Sequence, residues 1–257
     1  MGTLSSDTLF HFTNSKEILI NIIKNGFYPR YSIENYSFSD YNLSFAIPMV
    51  CFCDIPLSKT IEHSMEYGQF AIGMSKEWAM QKGVTPVFYI QQDSLILNKL
   101  QKAFDLSYTS FLEKFQKRLF LSKEEQVNLT EIVKDLNCVF HNTKPIIGIS
   151  TKNGKEKKFY DEKEWRFYPD FDGDNYSYSQ ISINYVHFNE EKKRKTIELE
   201  KKALTFTLND MDYIIVPSEM KKQEIITEIK NLFPEKIDFL ISQKLQIITM
   251  EQIKKDF

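Results

Sequence analysis

Short apolar runs of strand length recur along the chain, separated by stretches whose apolar residues fall at three- and four-residue spacing. The first kind marks strands and the second helices. Strands are predicted at Leu9 to Thr13, Ile47 to Cys53, Phe70 to Met74, Val87 to Ile90, Ile146 to Ser150, Glu164 to Tyr168, Ile181 to Phe188, Ala203 to Leu208, Tyr213 to Val216 and Leu245 to Ile248. Directly after the first strand, Asn14 and Glu17 are spaced as a capping box, Ile18, Leu19, Ile22 and Ile23 make a buried stripe, and Gly26 closes a helix. Ser58 is placed to cap a helix ending at Tyr67 and Gly68, and Ser75 to cap the short helix of Trp78. From Asp93 to Leu136 the helical period takes over, with Ser122 and Glu125 as a second capping box. After Ser218 the pattern predicts a helix, a break at Pro234 and a second helix. The stretch from Phe27 to Ser44 is rich in Tyr, Ser and Asn, which predicts a long loop suited to covering a site. The sum is a single α+β domain, residues 1–257, carrying a helical insertion at about 93–138.

The segment Glu164-Trp-Arg-Phe-Tyr168 alternates charged and aromatic residues. In a strand, Glu164 and Arg166 share one face and Trp165 and Phe167 the other. The pattern predicts an aromatic face that anchors and a charged face across which a sugar or phosphate could lie. The plainer reading is an exposed face whose acid and base neutralise each other.

Composition narrows the class without naming a chemistry. Phe (21) and Tyr (13) are plentiful and Gly (8) and Pro (8) scarce, which excludes disordered and fibrous classes. A net charge of -2 gives no overall field toward nucleic acid or membrane, and the mixed signs of Glu190 to Lys202 read as a solvated loop or helix face. Three cysteines cannot make a disulfide framework and point to a reducing cytoplasm. No apolar run reaches the length of a membrane span and the start lacks a signal-peptide pattern, so a cytoplasmic protein without membrane contact is expected.

The familiar loop and motif signatures of triphosphate binding, dinucleotide binding, serine hydrolysis and zinc proteolysis are missing. Cys51-x-Cys53 with His63 nearby lacks a fourth ligand and sits in an apolar strand, which favours core thiols over a metal site, and no metal is expected. His11 and Thr13 share a strand face just before a helix N-terminus, where a donor and a hydroxyl stand near backbone amides that favour anions; a satisfied core histidine is the alternative.

In this order the parts resemble the ADP-ribosyltransferase-like fold. Leu-Phe-His11-Phe-Thr13, followed by the helix and Gly26, looks like that superfamily's opening His-x-Thr unit; the Val50 to Asp54 strand with Tyr67-Gly68 is similar to the wall of its nicotinamide pocket; Glu164 stands where it keeps a catalytic glutamate. The strand carries no tyrosine, so the stacking role would pass to Phe52 or Tyr67. More narrowly, Leu-Phe-His-Phe-Thr, Cys-Phe-Cys-Asp-Ile-Pro-Leu-Ser, His63 to Gly68, Met74 to Trp78 and Glu164-Trp-Arg resemble the AbiGi-type abortive phage-infection proteins.

The resemblances imply split mixed β-sheets around an NAD cleft. NAD would be the substrate, with Glu164 catalytic, His11, Thr13, Phe52 and Tyr67 binding, and Arg166 on the pyrophosphate or holding Glu164. ADP-ribose would pass to a nucleic-acid or protein acceptor, or to water. The alternative they imply is an inactive scaffold that grips a toxin or antitoxin partner in a defence pair.

Overall fold

The computed structural model describes residues 6–36, 43–116, 122–150, 154–171, 180–184, 186–236 and 245–256. Its architecture is α+β, built on one large mixed sheet. The strands are β1 (Thr8–Thr13), β2 (Arg30–Tyr36), β3 (Leu43–Cys53), β4 (Phe70–Ser75), β5 (Thr85–Pro86), β6 (Phe88–Ile90), β7 (Thr143–Pro145), β8 (Ile147–Ile149), β9 (Glu156–Lys158), β10 (Glu164–Phe167), β11 (Ile181–Ser182), β12 (Met211–Val216) and β13 (Gln246–Thr249). The sheet runs β13-β12-β4-β1-β3-β10-β5, and β2 and β11 also pair with β3. The helices are α1 (Lys16–Asn25), α2 (Thr60–Tyr67), α3 (Lys76–Gln81), α4 (Leu95–Gln116), α5 (Lys123–His141), α6 (Phe188–Leu199), α7 (Glu219–Leu232) and α8 (Met250–Asp256).

Period-2 alternation splits each central strand between two cores. Leu9, Phe52, Ile72 and Ile214 face Leu19, Trp78 and Ile225 of α1, α3 and α7, while Phe10, Cys53, Ala71 and Ile215 face α2 and α8. Helices therefore cover both faces, and each removes from water the apolar side chains beneath it.

The feature that makes a site is a parting of strands. β1 pairs with β4 along its whole length but meets β3 only at Phe10↔Cys53. Beyond that pair β3 turns away, bonding β10 on one side through Val50–Cys53 and β2 through Leu43–Met49. A notch opens between β1 and β3. α4 and α5 lie between β6 and β7, which pair in parallel as their base, and they pack Phe104 and Phe140 against Ile47 and Met49 of β3.

Several expectations are corrected. The stretch from Phe27 to Ser44 is no covering loop over its described part: Arg30 to Tyr36 is a strand of a long hairpin, its register supplied by apolar β3 rather than by its own alternation. Helix α1 begins one residue late, so Ser15, not Asn14, caps it, accepting from Ile18 N–H at 3.3 Å, and Ile18 is 48% exposed. Ser58 lies inside a 3-10 turn and caps nothing. Ala203 to Leu208 shrinks to one bridge, Leu204 with Phe27, and Ile181 to Phe188 to two residues, because Phe188 starts the charged helix α6. The last seven residues of the described chain form α8, announced by Thr249-x-x-Gln252, a reciprocal cap with both bonds at 3.0 Å. The helix expected after Pro234 and the turn residue Asn153 lie outside the described residues.

Candidate functional site

A cavity of about 310 Å³ occupies the notch. β1 supplies Phe10, His11 and Phe12; β3 supplies Cys51, Phe52 and Cys53. α2 contributes His63, Glu66 and Tyr67 from its last turns, stacked as His63 on Tyr67 with centroids 4.4 Å apart, and Gly68 ends that helix at φ +110. No other residue fits at Gly68: a Cβ there would lie 2.3 Å from the Thr13 carbonyl oxygen. Glu162 comes from the 3-10 turn before β10, Glu164 from the first position of β10 and Lys144 from β7.

The aromatic and charged faces of β10 are the reverse of the expectation. Glu164 and Arg166 are the buried pair, 8% and 1% exposed, while Trp165 and Phe167 are half-buried against the larger core. The acid and the base hold each other, and only Glu164 of the two lines the cavity. Arg166 donates from Nε to Glu164 Oε1 at 2.7 Å and from Nη2 to Oε2 at 3.1 Å. Its remaining donors go to Glu34 Oε1 at 3.1 Å, the Tyr168 hydroxyl at 3.1 Å and the His141 carbonyl at 2.7 Å. Every donor of this buried guanidinium is thus taken up within the fold, two of them by Glu164.

The pairing continues as a chain of alternating charge. Lys144 Nζ donates to Glu164 Oε2 at 2.9 Å and Glu162 Oε2 at 2.8 Å. Lys157 Nζ lies 2.9 Å from Glu162 Oε1 and pairs also with Glu66, and the Tyr67 hydroxyl donates to Glu162. Between the two glutamates Lys163 sits in the left-handed region at φ 46, a conformation that costs a side-chain-bearing residue about 1–2 kcal/mol. That kink brings both carboxylates onto one lysine. Such strain is retained where surrounding contacts over-determine it.

These contacts fix the protonation states. Burial alone would raise Glu164 and Glu162; the cations Arg166 and Lys144 reverse this for Glu164, and Lys144 for Glu162, leaving both below the ordinary carboxylate range. Burial and then Glu162 push the Tyr67 phenol up, and burial pushes up the Cys51 and Cys53 thiols. Burial lowers His11, only partly offset by the Cys51 carbonyl at 2.8 Å from Nδ1. A carbonyl only accepts, so Nδ1 carries the proton, and Nε2 is left as the acceptor of a neutral ring.

Of the residues singled out from sequence, His11, Phe52, Tyr67 and Glu164 line this one cavity. Arg166 stands behind Glu164, and Thr13 is buried against Gly68 away from it. Cys51, Cys53 and His63 also line the cavity, but among the described residues no group of three or more His, Cys, Asp or Glu is placed to hold a metal ion. Sequence reasoning missed Glu34, Lys144, Lys157 and Glu162. Glu162 had a signal in its Glu-Lys-Glu spacing; Lys144, inside the three-residue strand Thr-Lys-Pro, had none.

The profile of a family described as "Putative abortive phage resistance protein AbiGi, antitoxin" matches residues 25–217. A protein of Lactococcus lactis subsp. cremoris named "Abortive phage resistance protein AbiGi" is 29% identical over 263 residues, covering 90% of this chain and 99% of its own. No solved structure matches. Among the described residues no helix is long and apolar enough to cross a membrane.

Proposed function

The chain belongs to the AbiGi family of abortive phage resistance proteins, and from that premise we propose that it serves as the antitoxin of an abortive-infection pair, holding a partner toxin inactive by binding it. One observation carries this reading. Glu162 and Glu164 are paired with lysine and arginine and held below the ordinary carboxylate range, burial pushes the Tyr67 phenol and the Cys51 and Cys53 thiols up, and burial lowers His11, so none of these groups is drawn toward a neutral working pH by its surroundings. General acid–base catalysis wants groups poised near the working pH, and nucleophilic catalysis wants an activated one. A rigid, saturated charge lattice suits a surface that must keep its shape. The test is to purify the tagged chain co-expressed with the product of the adjacent gene. Stable co-purification supports the reading, and separate elution of the two proteins removes it.

A second reading, NAD-dependent ADP-ribosyl transfer in an ADP-ribosyltransferase-like fold, is favoured by one specific observation: His11 and Glu164, from opposite halves of the chain, line the same cavity. NAD supplies a glycosidic bond whose cleavage leaves positive charge on the ribose, which a fixed carboxylate such as Glu164 stabilises without proton transfer. The cavity volume is at the lower end of ligand sites. A second cavity of about 340 Å³ shares its walls at His11, Ser32 and Cys51, and the dinucleotide would have to occupy both. Incubation with labelled NAD, alone and with protein, DNA, RNA and tRNA, decides it. Nicotinamide release by the native chain and its loss in Glu164→Gln support transfer; no release under any condition refutes it.

A further inference from the structure

The second cavity has a chemistry of its own. It lies between α1 and the β2–β3 hairpin, and its walls are apolar: Ile22, Phe27, Met49 and Val50 are all buried core residues. Arg30 is the one charged side chain among the described residues that line it. Its guanidinium rests over the Tyr28 ring at 5.5 Å, and its described ion-pair contact is Glu200 at 3.7 Å, with both side chains about half exposed, 53% and 50%. An exposed pair at that distance is worth at most about 1 kcal/mol and yields readily to a better partner. The planar fork of arginine is shaped for a carboxylate, and a single guanidinium balances a single negative charge.

An apolar chamber with one available guanidinium at its rim complements an apolar body ending in one anion. We propose that this chamber binds a small apolar monocarboxylic acid, its hydrocarbon against Ile22, Phe27 and Val50 and its carboxylate on Arg30. The proposal goes beyond the antitoxin reading and does not depend on it. Burying each methylene contributes about 0.8 kcal/mol, so a chain of several carbons supplies the affinity and Arg30 the selection.

The δ1 methyl group of Ile22, a chamber-lining residue on the buried face of α1, reports on the chamber. Protein labelled with ¹³C at its isoleucine δ1 and methionine methyls is titrated with octanoate and, separately, with octanol; the core methyls of Met74 and Met211, both 0% exposed, serve as internal references for the fold. The expected result is a saturable shift of the Ile22 signal by octanoate, with affinity at least about tenfold weaker for octanol and for Arg30→Gln, a single charged hydrogen-bonding partner being worth roughly that much or more. Ser32→Phe, which narrows the chamber and keeps Arg30, is expected to lose binding as well. Either no saturable shift in the native chain, or equal affinities for octanoate in native and Arg30→Gln protein with unmoved reference methyls, overturns the proposal.

Discussion

The two chambers on either side of His11 share a wall and little else. In the first, four glutamates, two lysines and a buried arginine bond one another, so that the fold itself supplies each charge with a partner. In the second, a lone arginine at the edge of apolar walls keeps only weak contacts. The difference teaches that charge in a cavity is not itself a sign of chemistry. What matters is whether its partners are supplied by the fold or left to a ligand.

The strongest way to break the first chamber is Arg166→Met. It leaves Glu164 without its principal partner and Glu34 without its described one, and removing one member of a buried pair costs about 3–5 kcal/mol. Urea melts should show that loss, with the second chamber spared if the domain still folds. Lys144→Met is milder, about 1.5–3 kcal/mol, because Glu164 keeps Arg166 and Glu162 keeps Lys157 and Tyr67.

Acidity sharpens the contrast in two steps. Burial lowers the folded pKa of His11, and it lowers that of His141 to about 4. The unfolded chain therefore takes up protons first, and stability falls as pH drops below about 6.5. Glu162 and Glu164, also lowered, add stability that is whole above the unfolded carboxylate value of about 4.3 and is lost as pH falls through their folded values. Melts of the native protein between pH 8 and 3 should slope in both windows, and His141→Gln should flatten the upper one. The smallest expected effect is Lys163→Gly, which relieves the left-handed backbone between the glutamates and should raise stability by about 0.5–1 kcal/mol; an unchanged or lower melting temperature would remove strain from the account.

Much of this molecule was legible from pattern. The runs Leu9 to Thr13, Ile47 to Cys53, Phe70 to Met74 and Tyr213 to Val216 are apolar because they lie under helices on both sides, so composition alone declares them strands. Ser75 and the Ser122–Glu125 box mark real helix starts because capping is local. Arg30 to Tyr36 was hidden because its pairing partner, not its own sequence, determines its conformation. The site was half legible for the same kind of reason: Glu164 and His11 could be singled out by strand position, whereas Lys144 enters from the far end of a helical excursion that no short-range spacing connects to β10. Burial also inverted the face of Glu164 and Arg166, since a satisfied ion pair can sit deeper than an indole.

The central claim is that this chain protects rather than poisons, and growth measures it most directly. The chain is expressed alone, the adjacent gene product alone, and both together, with host growth followed in each culture. The account predicts normal growth with the chain alone, arrest with the neighbour alone and recovery with both. Arrest by the chain alone, relieved by Glu164→Gln, would contradict it.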